Sequence, residues 1–65
     1  MLIKVNGEER ELSPGSDILK LLAEHQLTID KVAVELNRRL VRSEKYSTEL
    51  RAGDEIEIVS FVGGG

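Results

Sequence analysis

Apolar and polar residues recur along this chain with two different periods, and the switches between them lay out its elements. Leu2 to Val5 is a short run of strand formers that stops at Asn6-Gly7. Both central positions of a type I′ hairpin turn need positive φ, which Asn and Gly tolerate best, so Glu8 to Leu12 is expected to pair back as a second strand. Four of those five residues are charged. Such a strand belongs at a sheet edge, where charge discourages unwanted pairing, and only Leu12 is expected to face inward. Ser13-Pro14-Gly15-Ser16 reads as a loop, with Ser16 placed to cap a helix and Asp17 in its first turn, where the dipole favours negative charge. Ile18, Leu21, Leu22 and His25 then fall at i, i+3, i+4 and i+7, the apolar stripe of an amphipathic helix. Lys20 and Glu24 form an i, i+4 pair on its far side.

After a short connection, Val32 to Leu36 reads as a mostly buried strand ending at Asn37. Arg38 and Arg39 interrupt, Leu40-Val41 is a short apolar pair, and Ser43 to Tyr46 fits one helical turn. Arg51-Ala52-Gly53-Asp54 is a turn in which Gly supplies the special φ. The last strand runs from Glu55 to Phe61, Ile56 and Ile58 alternating with Glu55 and Glu57. Val59, Phe61 and Val62 add apolar side chains beyond the strict alternation. A helix covering one face of a mixed sheet of four to five strands is the two-layer arrangement open to a chain of this size, an α+β fold.

Composition narrows what such a domain can do. With 65 residues, 40% of them hydrophobic, there is one thin core and no second domain; a domain this small buries only ~60% of its unfolded surface. The absence of Cys excludes a disulfide scaffold, a thiolate metal site and a cysteine nucleophile together. A net charge of −3 and only two aromatics, Tyr46 and Phe61, argue against nucleic-acid binding. No stretch approaches the ~20 apolar residues of a membrane span, and the N-terminus has neither the basic lead nor the apolar length of a signal peptide, so a cytoplasmic location is expected. His25 closes a core stripe and is read as structural rather than as a general base. Glu8, Glu9 and Glu11 lack the spacing of a calcium loop and read as a solvated edge. Arg38, Arg39 and Arg42 form a small basic patch.

Three of the six glycines are Gly63, Gly64 and Gly65. A tail without Cβ atoms threads a narrow channel and lets another backbone approach closely. It is expected to be flexible when free and ordered only inside a partner. The carboxylate of Gly65 is a poor electrophile until adenylation by ATP makes it a mixed anhydride open to a sulfur or nitrogen nucleophile. Val59, Phe61 and Val62 beside the tail are expected to form a docking surface.

The segment Val32-Ala33-Val34-Glu35-Leu36-Asn37, the Arg51-Ala52-Gly53-Asp54 turn and the run Ile56 to Gly65 resemble the ThiS family of sulfur carriers. The likeness runs end to end. It implies a ubiquitin-like β-grasp domain over residues 1–62, followed by a flexible tail over 63–65. It further implies that Gly65 is adenylated by a ThiF-type enzyme, which supplies the ATP chemistry while the carrier binds no cofactor of its own. The product is a thiocarboxylate whose sulfur comes from cysteine through a desulfurase. The tail then donates that sulfur to a ThiG-type thiazole synthase in thiamin biosynthesis. Gly64 and Gly65 match the family's di-glycine, while Gly63 stands where other members carry alanine. The alternatives are a molybdopterin synthase small subunit, a ubiquitin-like protein modifier, or a β-grasp binding module without tail chemistry.

Overall fold

The structure, a computed structural model, describes residues 1–61. Strands β1 (Leu2–Val5) and β2 (Glu8–Glu11) form the first hairpin, and helix α1 (Ile18–Glu24) follows. Strands β3 (Val32–Leu36) and β4 (Arg39–Val41) form a second hairpin, and β5 (Glu55–Ser60) closes the sheet. The order across the sheet is β2-β1-β5-β3-β4. β1 and β5 are parallel and central, and every other pairing is antiparallel. Single 3-10 turns stand at Ile29–Lys31 and Ser43–Lys45. Beside the first, a hydrogen bond from the Thr28 side chain, ahead of smaller contributions, holds the Asp30 carboxyl below its ordinary pKa.

The Asn6-Gly7 turn is as expected, with φ of 51° and 84°. Asn6 does a second job there: its N–H donates to the Ile56 carbonyl (2.8 Å) and its Oδ1 accepts from the Ile58 N–H (2.7 Å). The turn residue thereby prolongs the β1–β5 ladder past the end of β1. β2 is an edge strand, exposed along its length, and Leu12 packs half-buried against the core just beyond it. Gly53 takes the positive φ (88°) that its turn needs.

Four expectations are corrected. Asp17, not Ser16, caps α1: its Oδ1 accepts from the Lys20 N–H (2.8 Å). Ser16 is buried instead, because its carbonyl accepts from Leu50 N–H (2.8 Å) and ties the loop to the far segment. His25 is not a member of the helical stripe; α1 ends at Glu24 and His25 is its C-cap. Gln26 follows at φ 58°, donating to the Ala23 carbonyl, while Leu27 N–H reaches back to Leu22; this is the Schellman arrangement. Lys20 and Glu24 are both exposed, but the only ion pairs among the described residues are Met1 amine–Glu11 and Arg10–Glu8. Finally, Arg38 and Arg39 do not interrupt the sheet. Asn37 and Arg38 adopt φ of 51° and 71° and turn the chain directly into β4.

The core lies between α1 and one face of the sheet. Ile18, Leu21 and Leu22 from the helix meet Ile3, Val5, Val32, Val34 and Ile56 from the strands. Tyr46 and Leu50 complete it from the irregular stretch before β5. Among the described residues no helix is long and apolar enough to cross a membrane.

Candidate docking face

Alternation along each strand leaves the second sheet face uncovered by the helix. On β5, Ile56 is buried and Ile58 half-buried on the helix side, so Glu55, Glu57 and Val59 point outward. Phe61 continues the same register, its N–H donating to the Lys31 carbonyl (2.6 Å). β5 ends at Ser60 rather than at Phe61, and Val59 and Phe61 keep the alternation that the sequence pattern was expected to lose there. They occupy its outward positions, where glutamate gives way to valine and phenylalanine.

The pairing register places the neighbours. Val59 stands opposite Ala33, and Glu57 opposite Glu35, which in turn faces Leu40. Val59 is 56% exposed, Phe61 57% and Leu40 72%. The structure thus brings together two of the expected docking residues, Val59 and Phe61, and adds Ala33 and Leu40 to their face. Leu40 was missed because its orientation follows from the Asn37–Arg38 turn; once that turn is known, two-residue periodicity points Leu40 outward. Val62 and the tail Gly63, Gly64 and Gly65 lie outside the described residues.

The frame beneath this face is held at the opposite end of β5. Asn37 Nδ2 donates to Asp54 Oδ1 (3.0 Å), and Asn37 Oδ1 accepts from the Glu55 N–H (2.9 Å). Asp54 Oδ2 also accepts from the Arg51 N–H (2.8 Å). One side-chain clamp therefore joins the β3–β4 turn to the turn that launches β5, fixing where β5 starts and so which residues face out at its end.

On the helix side of the sheet, His25 and Leu27 stand across an open cleft of about 490 Å³ from Glu8 and Arg10. Among the described residues no group of three or more His, Cys, Asp or Glu side chains could hold a metal ion. What the outward face offers is contact rather than chemistry: an exposed apolar patch at the point where β5 hands over to the chain's last residues.

One helix packed across a five-stranded mixed sheet, with the first and last strands central and parallel, defines a ubiquitin-like β-grasp protein. The model of the ThiS family matches residues 3–65, and the chain belongs to that family. It is 38% identical to the sulfur carrier protein ThiS of Bacillus subtilis, with 98% of this chain and all of that one covered. It is 41% identical to a thiazole synthase of Paramagnetospirillum magneticum, where the whole chain corresponds to 20% of that protein's length. A solved structure of the thiamine biosynthesis protein ThiS from Geobacter metallireducens superposes with a TM-score of 0.80 at 28% identity, both chains being covered completely.

Proposed function

We propose that this chain is a sulfur carrier for thiamin biosynthesis, loaded at the Gly65 carboxylate, and a co-substrate rather than a catalyst. The observation that carries the reading is the family match across residues 3–65, a span that includes Gly63, Gly64 and Gly65. The carboxylate attacks the α-phosphorus of ATP held by a ThiF-type activating enzyme, and pyrophosphate leaves. A persulfide, formed from cysteine by a desulfurase, then displaces AMP to give an acyl disulfide. A thiol cleaves its S–S bond, leaving a terminal thiocarboxylate on Gly65 and a disulfide on the sulfur donor. The Val59–Phe61 face docks the carrier on its partners, with Val62 continuing the contact toward the tail. A ThiG-type thiazole synthase is the acceptor; the thiazole synthases that contain a segment matching this whole chain support that assignment.

Intact-protein mass spectrometry tests the reading. Incubation with a ThiF-type enzyme, ATP, cysteine, a desulfurase and a thiol reductant is expected to replace one terminal oxygen by sulfur. An unchanged mass, under conditions that load the Bacillus subtilis carrier, would overturn it. One residue added after Gly65 is expected to abolish loading while leaving the fold intact.

A further inference from the structure

The sheet ends in two open edges of opposite charge. β2 carries Glu8, Glu9 and Glu11 against a single Arg10, while the β4 hairpin carries Arg38, Arg39 and Arg42. Among the described residues each edge strand pairs on one side only, β2 with β1 and β4 with β3. Charge on an edge protects against self-pairing when like meets like, as it would for β2 on β2 or β4 on β4. It gives no protection against β4 of one copy meeting β2 of another.

Topology makes that meeting an orderly one. β4 is antiparallel to β3, β3 to β5, and β5 is parallel to β1, so β4 runs with β1 and against β2. A second copy placed beside β2, its helix on the same side of the sheet, therefore presents β4 antiparallel to β2. Side-chain direction then restricts the register. Arg39 and Val41 lie on the helix side of β4, opposite Leu36 and Val34, while Leu40 points outward. Glu8 and Arg10 lie on the helix side of β2, opposite Val5 and Ile3, with Glu9 and Glu11 outward. Arg42 has extended backbone (φ −78°, ψ 151°) and keeps the outward alternation. Matching faces puts Arg42, just past β4, opposite Glu9 and Leu40 opposite Glu11, with Val41 beside Arg10 and Arg39 beside Leu12. The Arg42 carbonyl already accepts from the Lys45 N–H (2.8 Å), so Arg42 brings its side chain and N–H to the contact. A slip by two toward the first hairpin turn puts Arg39 against Arg10, a like-charge pair that disfavours it.

Glu11 and Glu8 already hold the Met1 amine (2.6 Å) and Arg10 (3.7 Å). Glu9 has only Lys4 across from it on β1 and makes no ion pair among the described residues, and neither does Arg42. We propose that copies of this chain associate head to tail by strand addition, β4 of one onto β2 of the next, with Glu9 and Arg42 as the complementary pair. The contact is heterologous, so it generates open chains, or a ring where its rotation closes, rather than an isologous dimer. β5, which leads to the tail, sits in the middle of each sheet, and the assembly leaves the Val59–Phe61 face open.

Sedimentation equilibrium of the full chain, from about 0.1 to about 2 mM, covers the range in which such small, charge-dependent contacts form. At low salt the weight-average mass is expected to rise above 7.2 kDa without a plateau at the dimer. In about 0.5 M salt, where exposed charges are screened, association is expected to weaken by about tenfold. Glu9→Lys alone and Arg42→Glu alone are each expected to be monomeric. The double variant, and an equimolar mixture of the two single variants, regain association because both restore opposite charges across the contact. Amide spectra establish that each variant is folded and confine the dilution shifts to β2 and β4. A monomeric mass throughout, a closed dimer, or a double variant no better than the singles would overturn the proposal.

Discussion

Among the described residues four other than glycine carry positive φ, and they are unequal in what that costs. Asn6 and Asn37 tolerate the left-handed region through their short polar side chains, and both use those side chains in long-range hydrogen bonds. Gln26 has no such compensation. It sits at φ 58° just beyond the helix C-cap, the position that glycine fills in most Schellman endings. Gln26→Gly is therefore expected to raise stability by about 0.5–1 kcal/mol, since the relief of strain at a position of this kind exceeds the added freedom of the unfolded chain. Urea denaturation checks it, and an unchanged or lower midpoint would show that the Gln26 side chain contributes contacts that outweigh the strain. The residue scale is also where sequence reasoning slipped. Ser16 and Asp17 are both good capping types, and only the buried bond from Leu50 to the Ser16 carbonyl decides between them. Tyr46, one of the two aromatics, is buried in the core, and its carbonyl accepts from the Leu19 N–H.

At the scale of elements, the strands and helix that carry periodic apolar residues were legible, because two-residue and 3.6-residue spacing come directly from backbone geometry. The first hairpin was legible through Asn6-Gly7. The second was not, because Asn37-Arg38 puts an arginine where glycine is usual, and what supports that turn comes from 17 residues away. Asn37 both donates to Asp54 and accepts from Glu55 N–H, so the turn is held by tertiary contacts rather than by its own composition. Replacing Asn37 by Ala removes both bonds and leaves a Cβ-bearing residue at positive φ. The expected loss is about 1–3 kcal/mol. Asn37→Gly also loses the bonds but not the backbone conformation, so it is expected to cost less than Ala. Equal losses in denaturant titrations would mean that the φ of the turn is not what Asn37 is there to satisfy. The docking face inherits this logic: Val59 and Phe61 were legible as apolar positions, whereas Leu40 joined them only through the unread turn.

Across the whole molecule, one strand divides two duties between its faces. A chain of this length has a total stability of about 3–10 kcal/mol. Ile56 is fully buried among residues from β1, β3 and α1, and Ile56→Ala is expected to remove about 2–5 kcal/mol, a large share of that total. Phe61, five residues further along, lies more than half exposed at the edge of the described structure. Phe61→Asp is expected to change stability by no more than about 0.5 kcal/mol. If its ring anchors the activating enzyme, the same substitution lowers kcat/KM for adenylation by about tenfold or more, mostly through the KM for the carrier. Pyrophosphate release measured against carrier concentration, beside a urea titration of each variant, separates the two duties. A Phe61→Asp protein that unfolds would return the ring to the core, and one that is adenylated like the parent would remove it from the docking surface. The contrast matters because so small a core leaves little stability to spare. Its outward positions are free to take whatever shape the partners require only while the inward ones hold the sheet.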